Sequence, residues 1–158
     1  MVLSRPVASL VLASAIAFSA IAAPSQLPAL GASPRQTSVS GLSAGAFMAV
    51  QLQVAYSRSI VGAGVIAGGP YYCAANNEFF AGICMGQVAF FTPSAALMAN
   101  FAKDFAHARS IDSLAHLARR RVYVFSGTGD TIVRQPAVDT TVSLDAASIR
   151  IGCLICDG

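Results

Sequence analysis

The sequence predicts an α/β protein built on a parallel sheet with crossover helices. A short β-prone stretch runs into a glycine-containing turn and then a long apolar helical segment, residues 37–57. A β-branched, glycine-rich run at 59–69 suits a strand buried in a parallel sheet. A third strand pattern, RVYVFSG at 121–127, follows two helical segments. Alternation of strands and helices favours parallel strands joined by right-handed crossovers.

Composition excludes several classes of protein. The 158 residues suffice for one domain, and 55% hydrophobic against 11% charged residues excludes a disordered chain. The net charge is only +3, and the longest basic run is Arg119–Arg121. Such a run is typical of a solvated helix end, so we expect no nucleic-acid partner.

The N-terminus has the layout of a secretory signal peptide. Arg5 precedes an apolar run, and Ala20–Ala22 forms an A-x-A cleavage site. We therefore predict a signal peptide at 1–22 and a secreted or periplasmic protein without a stable membrane anchor. The alternative, an anchoring helix, is disfavoured because the run barely reaches the roughly 17 residues that span a bilayer. Residues 23–36 are predicted to form an extended mature N-terminus, and 37–158 the folded domain.

The helices are predicted from apolar spacing and caps. The segment 44–57 is apolar nearly all round, as expected for a helix buried against a sheet. Thr92 with Pro93 predicts the N-cap of the next helix, whose Leu97, Phe101 and Phe105 form a core stripe. A second short helix is predicted at 110–120.

The turn contains a G-x-S-x-G match, Gly41-Leu42-Ser43-Ala44-Gly45. This pattern places a serine nucleophile on a tight strand-to-helix turn, and it predicts part of an α/β-hydrolase fold. The N–H of Ala44 is the candidate oxyanion donor, since it follows the serine at a helix N-terminus. The alternative is a glycine-rich structural turn without catalytic function.

A serine nucleophile needs a base and an acid that orients the base. Asp130 is the candidate acid, because it follows the strand 121–127 at the sheet edge where α/β proteins build their sites. A structural turn aspartate is the alternative. The two histidines, His107 and His116, precede that strand and are expected at the opposite edge. We predict neither as the base.

Four cysteines are present. Export would place them in an oxidising compartment, so a Cys73–Cys84 disulfide around a loop is predicted, with two buried thiols as the alternative. Cys153 and Cys156 form a C-x-x-C without a thioredoxin context, and they stay unassigned. Two cysteines are too few for a structural zinc site, and we predict no metal and no cofactor.

Three blocks together resemble the catalytic domain of extracellular or periplasmic poly(3-hydroxybutyrate) depolymerases. They are SVSGLSAGAFMAVQLQVAYS, VGAGVIAGGPYYCA and SLAHLARRRVYVFSGTGDTIV, in the family's order, within roughly residues 36–140. The resemblance implies a polyester or oligoester substrate, with Ser43 as nucleophile and Asp130 as triad acid. It also implies that Tyr71 and Tyr72 border the substrate cleft.

The resemblance also sets expectations for the rest of the chain. The family continues to a histidine in a glycine-containing loop, and that histidine is not among the 158 residues. We therefore expect a C-terminally truncated member that is inactive for lack of the triad histidine, with the segment 147–158 at the strand before that loop. Because little chain precedes the elbow, further strands would follow it, as in a circularly permuted hydrolase. The alternatives are a non-catalytic exported protein that binds polymer or a partner, and an esterase for feruloyl or acetyl esters.

Overall fold

The computed structural model describes residues 26, 28–148 and 152–157, with side chains described as far as Ser143. The predicted signal peptide and the side chains of Cys153 and Cys156 lie outside the described residues. Residues 28–33 are exposed and without regular secondary structure, and a 3-10 helix spans Pro34–Gln36. One compact unit spans Ser33–Gly158.

In the part of the chain that the structure describes, the sheet has four parallel strands in the order β1-β2-β3-β4. Their bounds are β1 Thr37–Leu42, β2 Ile60–Ile66, β3 Arg121–Ser126 and β4 Gly152–Asp157. The predicted parallel sheet is confirmed. It contains β4 in addition to the three strands that the local sequence pattern predicted. Because all four strands run in the same direction, their carboxyl ends lie at one edge of the sheet, which we call the carboxyl edge. The opposite edge is the amino edge.

Within the described residues, four α-helices accompany the strands: α1 Ala44–Ala55, α2 Glu78–Cys84, α3 Ala95–His107 and α4 Gln135–Ser148. The short helix predicted before β3 is a 3-10 helix, Leu114–Arg119. Helix α2 forms because the Asn77 side chain accepts the N–H groups of Phe79 and Phe80. The cysteine-flanked segment is thus partly helical, where a loop was predicted.

Two expectations about helix α3 are wrong. The helix begins after Ser94, whose hydroxyl accepts the Leu97 N–H, and Thr92 is not its cap. Leu97 is 49% exposed, because α3 buries the adjoining stripe of Met98, Ala99 and Ala102. Phe101 and Phe105 are half-buried against the core.

The core lies on one face of the sheet. Val122 and Val124 of β3 are buried, whereas Arg121 and Tyr123 alternate to the exposed side. Helix α1 contributes residues such as Val50 and Val54 to this core. Helix α1 packs against β1 and β2 as predicted, and its opposite face is open, since Met48 is 56% and Leu52 37% exposed.

No helix in the described ranges is long and apolar enough to cross a membrane.

Candidate active site at the carboxyl edge

The predicted elbow is present between β1 and α1. Ser43 has φ 54° and ψ −122°, a left-handed conformation that is rare outside glycine. Its N–H donates to the Ile66 carbonyl at 2.9 Å, which extends the β1–β2 ladder beyond the strands. Its carbonyl accepts the N–H groups of Ala46 and Phe47 and so opens helix α1. These bonds on both sides hold the strained serine in place.

Gly41 is the glycine that this turn requires. A Cβ at Gly41 would lie 2.2 Å from the backbone carbon and oxygen of Gly45. A Cβ at Gly45 would meet nothing within 4 Å. The close approach of strand and helix that the motif predicts therefore depends on its first glycine.

A cavity of about 150 Å³ opens beside Ser43. Its walls are mainly apolar and come from the first turn of α1 and from the segment 74–85. The lining residues are Ser43, Ala44, Phe47, Ala74, Ala81, Cys84 and Met85. The cavity thus offers the serine hydroxyl a small, poorly polar environment.

The predicted disulfide forms one end of this cavity wall. Cys73 and Cys84 are joined, with their Cα atoms 5.9 Å apart. The bridge ties the end of α2 to the segment that follows β2. It thereby fixes Ala81 and Met85 beside the serine.

Ala44 is the first residue of α1. The N–H groups of a first helical turn have no acceptor inside the helix, so the Ala44 N–H is free of the helical hydrogen-bond pattern. It lies beside the serine in the same cavity. The geometry is compatible with an oxyanion donor, and that function stays a prediction.

Asp130 lies four residues beyond the end of β3, at the same edge as Ser43. Its Oδ1 accepts the N–H groups of Ile132 at 2.8 Å and Val133 at 3.0 Å, which fixes the carboxylate on its loop. Both bonds go to Oδ1, and no described residue donates a hydrogen bond to Oδ2. Strand β2 separates β1 from β3, which places the two loops about two strand spacings, roughly 10 Å, apart.

The two histidines are placed at the amino edge. His107 ends α3 and lines a cavity of about 530 Å³ together with Arg58 and Asp112. Asp112 donates its N–H to the carbonyl of Ala55, at the end of α1. His116 lies in the 3-10 helix before β3. Neither imidazole lies at the edge that holds Ser43.

Tyr71 and Tyr72 do not line the cavity beside Ser43. Tyr71 is 5% exposed, and its burial, with a smaller effect of the neighbouring Tyr72, raises the pKa of its phenol. The Tyr72 ring packs edge-to-face on Phe101 and Phe105, with centroids 5.2 and 4.8 Å apart. The Tyr72 N–H donates to Gln51 Oε1. These contacts are packing contacts, and a substrate contact by either tyrosine stays a prediction.

Sequence reasoning missed Phe47, Ala81 and Met85 as cavity walls. Phe47 carried a usable signal, because it lies four residues after Ser43 and so one helical turn along the same face. Ala81 and Met85 could not be placed without helix α2. Among the described residues, no group of three or more His, Cys, Asp or Glu side chains could hold a metal ion.

The parallel sheet, the elbow serine after β1 and the acid after β3 define a partial α/β-hydrolase fold. The chain is 47% identical over 115 residues, 72% of its length, to the poly(3-hydroxybutyrate) depolymerase of Delftia acidovorans. It is 43% identical over 108 residues, 68% of its length, to the polyhydroxybutyrate depolymerase of Talaromyces funiculosus. Over these residues the chain is homologous to poly(3-hydroxybutyrate) depolymerases, and the resemblance is confirmed.

Solved structures agree with the sequence relatives. The crystal structure of PHB depolymerase from Penicillium funiculosum superposes with a TM-score of 0.65 at 33% identity, over 79% of this chain and 39% of that one. A serine-to-alanine variant of a PHB depolymerase, complexed with an R3HB trimer, superposes with a TM-score of 0.64 at 32% identity, over the same 79% and 39%. No family model matches the chain. The chain spans 23% and 30% of the two curated relatives.

Proposed function

We propose that the chain carries the nucleophile and the acid of a secreted serine carboxylic ester hydrolase that cleaves polyesters or oligoesters of 3-hydroxybutyrate. One observation carries the proposal: Ser43 has a strained conformation, φ 54°, at a strand-to-helix turn beside an apolar cavity. The names of the relatives supply the substrate class. The signal-peptide pattern in 1–22 supports export.

In the proposed reaction, the Ser43 hydroxyl oxygen attacks the ester carbonyl carbon while a base takes the hydroxyl proton. The carbonyl oxygen becomes an oxyanion that the Ala44 N–H stabilises. The ester C–O bond then breaks, and the leaving alkoxide takes the proton from the base. Water, deprotonated by the same base, attacks the acyl-serine and releases the acid and free Ser43.

Asp130 would orient the base through Oδ2 and stabilise its charged form. The carboxyl end of β4 lies at the same edge as Ser43 and Asp130 because β4 runs parallel to β3. A histidine on a loop after β4 would therefore reach them. His107 and His116 lie at the amino edge, so we expect the 158-residue chain by itself to hydrolyse esters slowly.

Added imidazole tests this function, because it can replace an absent histidine base. The purified chain without 1–22 should hydrolyse p-nitrophenyl 3-hydroxybutyrate at a rate that rises with imidazole. Ser43→Ala should abolish the increase above the imidazole-only background. In an enzyme with a complete triad, loss of the serine lowers the rate by several orders of magnitude. Ser40→Ala, a neighbouring serine on β1, is the matched control and should retain it.

An imidazole-dependent rate that survives in Ser43→Ala contradicts the proposal. A chain that is retained on polyester granules but shows no Ser43-dependent hydrolysis supports the non-catalytic binding alternative. Faster Ser43-dependent hydrolysis of acetyl or feruloyl esters than of the 3-hydroxybutyryl ester supports the alternative of an esterase for acetyl or feruloyl esters.

A further inference from the structure

A second cavity, of about 320 Å³, lies along the loop that follows the disulfide. Apolar side chains form most of its wall, among them Val88, Phe90, Phe91 and Pro136. One charged side chain lines it, that of Arg134. An apolar pocket with a single cation suits a ligand that has an apolar body and an anionic end.

This cavity is contiguous in the chain with the one beside Ser43. Met85 lines the serine cavity, and the next residue, Gly86, lines the second. The backbone N–H of Arg134 donates to the Met85 carbonyl at 3.0 Å. This bond holds the backbone of Arg134 at the boundary between the two cavities. Arg134 also lies four residues after Asp130, on the same loop.

Two further features hold the cavity in shape. The Gln87 side-chain amide donates to the carbonyls of Thr131 and Ile132, which joins the loop after the disulfide to the loop of Asp130. Gly86 has φ 72°, and a Cβ there would lie 3.0 Å from the Arg134 Cβ. Glycine at this position lets the two loops approach closely.

The Arg134 guanidinium forms no ion pair with the carboxylates whose side chains the structure describes. The cavity wall contains no acid. A guanidinium fork matches a carboxylate through two parallel hydrogen bonds. Arg134 is exposed, as are Phe90 and Phe91, so its guanidinium at this open apolar groove is accessible to a ligand carboxylate.

We propose that this cavity binds the free carboxylate end of an oligoester chain through Arg134, with the methyl-bearing chain along the apolar wall. The inference rests on the proposed function, and it deepens that function. It assigns the site a preference for short oligomers with a free acid end over esters that lie within a long polymer. Arg134 is thus a residue that determines specificity, and it takes no part in bond cleavage.

Calorimetric binding of the 3-hydroxybutyrate trimer tests the proposal in the full chain with Ser43→Ala, which prevents turnover. The free acid should bind about threefold more tightly than the trimer methyl ester, as expected for a solvent-exposed ion pair. Arg134→Gln should remove this difference, and Arg134→Lys should retain part of it. Arg109→Gln, in the cavity at the amino edge, is the matched control and should leave the difference unchanged.

The outcomes separate this inference from the proposed function. Equal binding of acid and methyl ester by the Arg134 protein overturns the carboxylate site and leaves the ester hydrolase intact. Loss of the acid preference in both Arg134→Gln and Arg109→Gln shows a non-specific charge effect and also overturns it. Failure of both trimers to bind contradicts the proposed substrate class together with the inference. Circular dichroism of each variant establishes that it is folded.

Discussion

The two edges of the sheet differ in backbone conformation and in charge. At the carboxyl edge, non-glycine residues with positive φ cluster after the strands, including Ser43, Ala67 and Tyr72. At the amino edge, the larger cavity is lined by cationic side chains such as Arg58 and Lys103, and Arg109 alone among its lining residues has positive φ. One edge thus concentrates backbone strain, and the other concentrates charge.

The difference bears on which feature of a sheet edge points to the proposed site. Strained residues persist only where the surrounding structure fixes them, and they accumulate at functional sites. Ionisable side chains around an open cavity are also common on ordinary surfaces. The cavity of about 530 Å³ is larger and holds His107, yet the elbow and Asp130 lie at the other edge. Size and charge would therefore select the edge opposite to the proposed nucleophile.

The largest expected effect concerns the packing under the elbow. Gly41→Ala places a methyl group 2.2 Å from the backbone of Gly45, so strand and helix must separate. We expect a loss of at least about 3 kcal/mol in the free energy of unfolding, at the upper end of overpacking effects. Urea denaturation followed by circular dichroism measures it.

Gly45→Ala is the matched control, because its methyl group meets nothing within 4 Å and Gly45 lies in helix α1. The change should stabilise the protein by up to about 1 kcal/mol through helix propensity. Equal destabilisation by both variants would refute the close-packed elbow.

The disulfide gives the next largest effect. The bond closes a short loop, with a sequence separation of 11, and its removal in Cys73→Ser/Cys84→Ser should lower the free energy of unfolding by about 2–3 kcal/mol. It should also loosen the cavity wall at Ala81 and Met85, so the imidazole-dependent esterase rate should fall. Urea denaturation with and without reductant measures the stability, and reductant should not affect the double variant. A double variant as stable as the parent would show that the bridge does not support the carboxyl edge.

A smaller effect is expected at the amino edge, where side chains support the fold. Arg120 donates from Nε to the carbonyl of Ser57 and from Nη2 to that of Arg58, both at 3.0 Å. Arg120→Met should lower the free energy of unfolding by about 1–2 kcal/mol, because partly exposed carbonyls lose charged donors. The exposed neighbour, Arg119→Met, should change it by less than about 0.5 kcal/mol. A lost imidazole-dependent rate in folded Arg120→Met would mean that this edge takes part in the reaction.

The smallest effect is an alkaline loss of stability from Tyr71. Burial raises the pKa of its phenol, so the native state keeps the proton when the unfolded chain has released it. Its contribution to stability is full below the unfolded pKa of about 10 and is lost as pH rises towards the higher folded value. Tyr71→Phe should flatten the fall in stability above about pH 10, measured by urea denaturation from pH 8 upwards. An unchanged slope would show that Tyr71 is not buried as described.

Local pattern was sufficient for the strands and for the elbow. The run RVYVFSG predicted β3, and the glycines around Ser43 predicted the tight turn, because both depend on neighbouring residues alone. The position of Asp130 followed from the parallel topology. The Cys73–Cys84 bridge was correctly predicted from the chain's inferred redox environment.

The errors concern features that depend on tertiary contacts. Leu97 and Met98 are both apolar, and only the direction from which α3 packs decides which is buried. The side-chain cap at Asn77 starts helix α2 in a segment whose cysteines and asparagines suggested a loop. The aromatic packing of Tyr72 on Phe101 and Phe105 joins residues about thirty positions apart, so sequence spacing could not show it.

Trapping of the acyl-enzyme tests the central claim most directly. The chain is mixed with p-nitrophenyl 3-hydroxybutyrate and imidazole, quenched in acid, and mapped by peptide mass spectrometry. We predict the 3-hydroxybutyryl group on Ser43, and no adduct on this peptide in Ser43→Ala. Protein-dependent hydrolysis with the acyl group on another residue, such as Ser40 or His107, would contradict the assignment of the carboxyl edge as the reactive one.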